Sequence, residues 1–319
     1  MGNALRWFMP GLMYEVTTRT IQERYLLTPS ANARELILGV LGRGLALYPA
    51  VRLHAFAYLS NHCHLLVSAS DGQSLAFFLG YVNSNVAREM GRLHRWRGPF
   101  WGQRCRPIPV VDASAEVDRL RYVMRQGVKE GLVSSPLQWP GATSTSALIS
   151  TMATAGLWVD RDLQTRAARS VRKRPFSTYA SLFRIVLSPI PSWRHLPLVE
   201  VVERHREMLA SVEDEGQADA LGAARVASQD PHGSPPHPAR RVAPLCHSST
   251  ATARTAFRDA YRAFVAAFRT ATAAVRDAIT AAQPVEIAMR LFPHGSYPHV
   301  AWYPTSFRSE RPLSNAVRN

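Results

Sequence analysis

At 319 residues the chain is longer than a typical single domain and too short for an assembly of many modules, so its length predicts two domains. Hydrophobic residues at 46%, a mean hydropathy of −0.12 and the lack of an apolar run of 18 residues argue against disorder and against a membrane span, and they predict a soluble protein. A formal charge of +15 predicts a polyanionic partner, foremost nucleic acid.

The basic side chains are almost all arginine, since Lys129 and Lys173 are the only lysines. The guanidinium fork suits phosphate and stacks on bases, but a GC-rich genome would also raise the arginine content whatever the function. Nucleic-acid binding and genome composition therefore both remain possible reasons for the arginine content. The net positive charge is present in either case. The first residues lack a secretory signal, which predicts a cytoplasmic, nucleoid-associated protein, and three distant cysteines predict reduced thiols.

The first half of the chain predicts strands and helices in the order β-α-β-β-α-β-α. The predicted elements are a strand over 12–20, a helix capped by Asn32, hairpin strands over 51–59 and 62–70, a helix over 74–96, a proline-interrupted edge strand over 99–111, and a helix capped by Asp112 or Ser114. The first six match a ferredoxin-like (RRM-like) α+β fold, an antiparallel sheet with helices on one face and the other face free.

The second half has weaker patterns and predicts a mainly helical C-terminal extension. Segments 176–188 and 195–215 could each form a helix, and 251–282 is a long alanine-rich amphipathic helix before an irregular proline- and aromatic-rich end. The predicted organisation is a sheet domain over 1–150, a helical extension over 151–228, a Pro/His/Arg-rich linker over 229–250 and a C-terminal helix with its tail over 251–319.

His62 and His64 are the first candidate site residues. Positions i and i+2 of a strand point to the same face, so two imidazoles there could share one metal ion. A bare His-x-His pair is more often a surface feature. Cys63, between the two histidines, faces the other side of the sheet and is predicted to be a small buried hydrophobic residue.

Tyr122 and Gln126 are the second pair, four residues apart on one face of the third predicted helix. Alone the pair is a weak indication, because a helical tyrosine usually packs in a core. Together with two histidines, however, an amide oxygen and a phenol form a set suited to metal-assisted phosphoryl transfer. Attack by the tyrosine would conserve the phosphodiester energy in a covalent phosphotyrosine.

The segment NHCHLLV resembles the His-hydrophobe-His motif of HUH endonucleases, and the surrounding segments resemble the single-tyrosine transposases associated with REP sequences. The resemblance covers about residues 5–150, through PGLMYEVTTRT, HAFAYLSNHCHLLV, FWGQRCRPIPV and RLRYVMRQGVKEGLVSSPLQWPGATS. The chain departs from the family at Leu59-Ser60-Asn61, where the family often has Met-Pro-Asn, and at Gln126, where many relatives carry Asn.

The resemblance implies a metal-dependent nickase and strand transferase for single-stranded DNA with hairpin-forming palindromic repeats, acting through a 5′-phosphotyrosine. It implies that His62, His64 and Gln126 are metal ligands and that Tyr122 is the nucleophile. The family's metal is Mg²⁺ or Mn²⁺, although imidazole ligands by themselves would suggest zinc or another transition ion. Relatives include dimers that share sites, so a monomer and a homodimer both remain open.

Four residues near the predicted site are candidate DNA contacts: Arg19, Arg104, Arg106 and Trp101. Five arginines of the C-terminal helix could clamp DNA or form a solvated face. Two other functions compete with the enzyme: a nucleic-acid-binding module on the same fold that does not cut, and a domesticated enzyme whose role is regulatory or structural.

Overall fold

The computed structural model describes residues 5–169, 175–236 and 243–296 of the chain. The chain divides into two compact units, one formed by Gly11–Ser249 and the other by Met1–Pro10 together with Thr250–Asn319. Within the described ranges, no helix is both long and apolar enough to pass through a lipid bilayer.

The unit Gly11–Ser249 contains six strands and eight helices within its described residues. The strands are β1 (Met13–Arg19), β2 (Val51–Tyr58), β3 (His62–Ala69), β4 (Arg106–Val110), β5 (Ala153–Val159) and β6 (Ala180–Val186). The helices are α1 (Ala31–Leu47), α2 (Gly72–Leu93), α3 (Ala113–Met124), α4 (Gln126–Lys129), α5 (Thr145–Leu148), α6 (Arg161–Ala168), α7 (Leu198–Glu213) and α8 (Ala223–Ala227). Short 3₁₀ turns cover Ile21–Glu23, Pro136–Gln138, Phe176–Thr178 and Pro191–Trp193.

Strands β1 to β4 form one antiparallel sheet in the order β2-β3-β1-β4. This order, with α1 joining β1 to β2 and α2 joining β3 to β4, is the predicted ferredoxin-like α+β fold. β4 lies at an edge, as its two prolines predicted. The prediction of fold class is confirmed, including the hairpin that carries the two histidines.

The two crossover helices pack against each other. At Gly44 of α1, an added Cβ would lie 3.2 to 3.4 Å from the side chains of Phe78, Tyr81 and Val82 of α2, so the small residue permits this close approach. The N-cap of α1 is Ser30, whose Oγ accepts a hydrogen bond from the Ala33 amide, and not Asn32 as predicted.

Helix α3 covers part of the sheet face that was predicted to be free. Its residue Tyr122 packs on His64 of β3, and Arg119 lies near Glu15 of β1. The N-cap is Asp112, which accepts from the Ala115 amide at 2.8 Å. The prediction of a free face was wrong because it considered only the six elements of the sheet motif, and the seventh returns across the sheet.

A second sheet, formed by β5 and β6, replaces one of the predicted helices. Residues 176–188 contain β6, which pairs antiparallel with β5, while the helix predicted over 195–215 is present as α7. β5 crosses α1 at a point where both elements have glycine. An added Cβ on Gly39 of α1 would lie 2.1 Å from the Leu157 carbonyl oxygen of β5. This tertiary contact has no local sequence pattern, so the strand pair could not be read from periodicity.

The unit made from the two ends of the chain is built around helix α9 (Ala251–Thr280), as predicted, and the short α10 (Glu286–Met289). Trp7 stacks on Phe264 at a centroid distance of 5.1 Å, and Phe268 contacts Phe292. The exposed arginines of α9 lie within an arc of about 80° at 100° per residue; they are Arg254, Arg258, Arg262, Arg269 and Arg276. A DNA clamp and a solvated face both remain predictions, and the tail beyond residue 296 lies outside the described residues.

Two buried histidines make the stability of the fold depend on pH. Burial lowers the pKa of both His54 and His205 from 6.5 to about 4, so both are neutral in the folded protein. Between these values the unfolded chain binds more protons than the folded one, and stability therefore falls as the pH decreases. We expect each histidine to contribute a slope of up to ~1.4 kcal/mol per pH unit between pH 6.5 and 4.5.

Urea denaturation of the wild type and of His205→Leu over that pH range measures this effect. In the variant, the slope of the free energy of unfolding against pH should be smaller by up to ~1.4 kcal/mol per pH unit. An unchanged slope would contradict a neutral, buried His205.

Candidate active site

His62 and His64 lie side by side on β3, both buried, with ring centroids 5.0 Å apart. In the register with β1, His62 is opposite Arg19 and His64 is opposite Thr17. Both imidazoles therefore occupy the central part of the sheet, on the face that α3 covers. The predicted sharing of one face is present.

The imidazole of His64 is oriented by β1. Its Nδ1 lies 2.9 Å from Glu15 Oε1 and 3.1 Å from Thr17 Oγ1. A carboxylate only accepts, so Nδ1 carries a proton and donates it to Glu15. The other nitrogen, Nε2, is buried and has no hydrogen-bond partner among the residues that the structure describes.

The imidazole of His62 is oriented by the preceding residue, Asn61, and has the same tautomer as that of His64. Its Nδ1 lies 2.7 Å from Asn61 Oδ1, an acceptor, which leaves Nε2 with a free lone pair. Burial, followed by the neighbouring His64, holds the pKa of His62 well below its usual value. Asn61 thus does more than form the turn before β3.

Gln126 and Tyr122 are brought to the same place by α3 and α4. Gln126 is almost fully buried, and its Nε2 donates to the Tyr122 carbonyl oxygen at 3.0 Å, one turn earlier. This bond holds the amide nitrogen, and the amide oxygen Oε1 is buried and has no hydrogen-bond partner within the described ranges. The amide lies close enough to His62 to affect the pKa of that imidazole.

Tyr122 is half-buried above the histidines. Its ring meets that of His64 edge to face, with centroids 5.4 Å apart. The guanidinium of Arg119 lies 4.5 Å from the centre of the tyrosine ring, and the ammonium of Lys129 lies 4.8 Å from it. Two cations therefore flank the phenol, an arrangement that favours a bound anion.

The donor atoms fit a divalent metal ion. His64 Nε2 and Gln126 Oε1 are buried without partners, and such atoms cost free energy unless something satisfies them. Two imidazole nitrogens and one amide oxygen could hold an ion with open positions for substrate. This set includes a glutamine amide. Within 5–169, 175–236 and 243–296, no three His, Cys, Asp or Glu side chains form a group that could hold a metal ion by themselves.

Glu15 is the residue in this site that the sequence analysis missed. It is the one acidic residue of β1 and it is buried, and that carboxylate in a largely apolar and hydroxyl strand was the available indication. Burial would raise its pKa, but hydrogen bonds from His247 and His64 outweigh this and hold the pKa well below the usual value. In metal sites, a carboxylate that accepts a hydrogen bond from the second ring nitrogen of a ligating histidine fixes the orientation of the ring and increases its basicity.

The four predicted DNA contacts lie in and beside β4. Arg106 is opposite Thr17 in the sheet register, on the side of β1 away from His64, and Arg104 is exposed in the preceding loop. Arg19 faces His62 in the register and pairs with Glu23 at 3.6 Å. Trp101 is bridged to Thr20, and its Nε1 donates to the Asn83 carbonyl oxygen, so its polar group is satisfied within the protein.

Fold and site together define an α+β sheet domain in which one chain contributes two buried histidines, a buried amide and a tyrosine to one cationic site. No protein-family model and no curated protein matches the sequence. Several solved structures are similar to this chain, and two of them are transposases by name. A REP-associated tyrosine transposase bound to a REP hairpin has a TM-score of 0.40 at 14% identity, over 47% of this chain and 86% of that chain.

The second similar structure is a candidate transposase from Deinococcus radiodurans R1, with a TM-score of 0.28 at 17% identity over 40% of this chain and 98% of that one. Identities this low and TM-scores below 0.5 do not establish a family for the chain.

Proposed function

We propose that this protein is a divalent-metal-dependent endonuclease and strand transferase for single-stranded DNA, of the transposase type, that works through a covalent 5′-phosphotyrosine. The observation that carries the proposal is the meeting of His62, His64, Gln126 and Tyr122 in one site with two unpartnered buried donor atoms. The motif resemblance to single-tyrosine transposases supports the same function.

In the proposed reaction, the Tyr122 oxygen attacks the scissile phosphorus. The bond between the tyrosine oxygen and phosphorus forms, the bond from phosphorus to the 3′ oxygen breaks, the phenol proton passes to solvent and the 3′ oxygen leaves as a hydroxyl. His62, His64 and Gln126 would hold Mg²⁺ or Mn²⁺, and the bound ion would supply polarisation of the phosphate and compensation of charge on the leaving oxygen. Attack by a second 3′ hydroxyl on the phosphotyrosine reverses the step and joins strands.

The remaining residues of the site bind and orient. Arg119 and Lys129 flank the phenol and would attract the phosphate to it, and Glu15 keeps His64 Nδ1 protonated, so that Nε2 faces the substrate side as an acceptor. Arg19 and Arg106 lie on the same face of the sheet and would contact the backbone on either side of the scissile bond. Hairpins of palindromic repeats are the proposed substrate, on the motif resemblance.

The function is tested by incubating the full-length protein with labelled single-stranded DNA that carries the palindromes flanking its gene, with Mn²⁺ or with EDTA, followed by a denaturing gel. We expect a metal-dependent covalent protein–DNA band. Binding without such a band, across several flanking sequences and both Mg²⁺ and Mn²⁺, would favour a binding module or a domesticated protein instead.

The affinity for single-stranded DNA should fall steeply with salt, because arginine–phosphate contacts release counterions. We expect the logarithm of the association constant to fall with log salt by ~0.7 for each phosphate contact. In EDTA, Arg19→Gln and Arg106→Gln should each reduce the slope by about that amount. Arg166→Gln, on α6, is the matched control and should leave the slope unchanged. A flat salt response of the wild type would refute the electrostatic part of the proposal.

A further inference from the structure

Residues 243–249, which we call the return segment, run along the outer edge of the sheet beside β4. His247 forms a parallel bridge with Val110: its amide donates to the Pro109 carbonyl at 2.8 Å, and its carbonyl accepts from the Val111 amide at 3.0 Å. The return segment therefore extends the sheet beyond β4. It belongs to the part of the chain predicted to be a linker, about 230 residues after β1.

The return segment is also attached to the start of the tyrosine helix. Asp112, the N-cap of α3, accepts hydrogen bonds from Ser248 Oγ at 2.9 Å, from the Ser249 amide at 2.9 Å and from Ser249 Oγ at 2.6 Å. Main-chain and serine contacts thus hold the segment in place without the help of the His247 imidazole. Removing that ring should leave the segment where it is.

The His247 imidazole reaches into the site. Its Nε2 lies 2.7 Å from Glu15 Oε2, while the other oxygen of the same carboxylate, Oε1, accepts from His64 Nδ1 at 2.9 Å. Among the described residues, Arg119 also contacts this carboxylate, at 3.5 Å from Oε2. Each carboxylate oxygen therefore contacts one imidazole: His64 makes a hydrogen bond, whereas the half-buried His247 makes a close contact in which its Nε2 has no hydrogen-bond partner among the described residues.

We propose that His247 is a positioning residue of the active site: through Glu15 it fixes the orientation in which His64 presents Nε2. With both oxygens engaged, the carboxylate has one orientation; without His247, Oε2 keeps only the longer contact to Arg119, and Glu15 can rotate about its last bond. The inference rests on the proposed function, since it assigns a consequence to the orientation of His64. Outer residues of this kind change metal affinity about 10- to 100-fold when removed.

The test measures Mn²⁺ affinity of the full-length protein without DNA, by electron paramagnetic resonance of free Mn²⁺. We expect His247→Phe to weaken Mn²⁺ binding at least ~10-fold, and His247→Gln, whose polar amide can still contact Glu15, to recover most of the loss. His232→Phe is the matched control, because His232 lies in the same Pro/His/Arg-rich region and contacts His94 and Trp96 rather than Glu15. It should bind Mn²⁺ like the wild type.

The variant His64→Ala distinguishes failure of the proposed metal site from failure of the inference about His247. If His64→Ala binds Mn²⁺ as the wild type does, the metal site of the proposed function is wrong. If His64→Ala loses Mn²⁺ and His247→Phe does not, the inference about His247 is overturned and the proposed function stands. Should His247→Phe fail to fold, His247→Ala provides the same comparison, and wild-type affinity in that variant also overturns the inference. If His247→Gln fails to recover affinity, the polar contact with Glu15 is not the cause of the loss and the inference is overturned as well.

Discussion

Replacing Tyr122 with Phe should abolish the covalent protein–DNA complex and leave single-stranded DNA affinity within about twofold of the wild type. The change removes one oxygen, the proposed nucleophile, while the ring stays on His64 between Arg119 and Lys129. Without a nucleophile no phosphotyrosine can form, so we expect the yield of adduct to fall by at least ~10³-fold, the scale on which loss of a reacting group acts. A denaturing gel after incubation with Mn²⁺ measures the adduct.

Tyr179→Phe is the matched control for this experiment. Tyr179 is also half-buried but packs on Phe176 beside the second sheet, and its removal should leave the adduct unchanged. A normal adduct in Tyr122→Phe would show that another group is the nucleophile. Equal loss of DNA binding and adduct would show that Tyr122 acts in binding instead.

His64→Ala should eliminate metal-dependent cleavage, with a loss of at least ~10²-fold at saturating DNA, because it removes one proposed ligand and the donor to Glu15 Oε1. Cleavage at increasing Mn²⁺ concentrations is the measurement. Excess Mn²⁺ should rescue the variant only partly, since one ligand position is gone. DNA binding in EDTA should stay close to that of the wild type.

A buried histidine elsewhere controls for the effect of a cavity. His205 on α7 packs on Trp193 and is as buried as His64, so His205→Ala should lower the free energy of unfolding but preserve cleavage per folded molecule. If His64→Ala and His205→Ala lose cleavage equally, stability is the common cause and the metal-ligand role of His64 is refuted.

The sheet and its four central site residues could be predicted from local patterns. Alternating apolar residues predicted β2 and β3, and prolines placed β4 at the edge. The spacing predicted Tyr122 and Gln126 on one helix, whereas α3 ends at Met124 and Gln126 begins α4. These are short-range properties, because strand alternation and helix periodicity depend on residues at most four apart. The structure places Tyr122 against His64 and Gln126 near His62; the motif resemblance implied this meeting of the two pairs, which neither spacing predicted.

The rest of the site depends on contacts between distant parts of the chain. Glu15 is one acidic residue in a strand, and nothing beside it in the sequence indicates that His64 and His247 both contact its carboxylate. The pair β5 and β6 depends on glycines of α1 that allow a strand to cross the helix. Side-chain partners separated by 49 or more residues have no period, so propensity cannot reveal them.

The return segment also bears on how the protein avoids aggregation. Backbone amides alternate in direction along a strand, and the Val111 amide points outward to His247, so positions 107 and 109 also face outward. Both are proline and have no amide hydrogen. From 107 to 111 this border of the sheet therefore offers an incoming strand no free donor, which blocks edge-to-edge pairing with another molecule. The return segment, whose His247 contacts Glu15, would in this way also limit polymerisation of the protein through this border of its sheet.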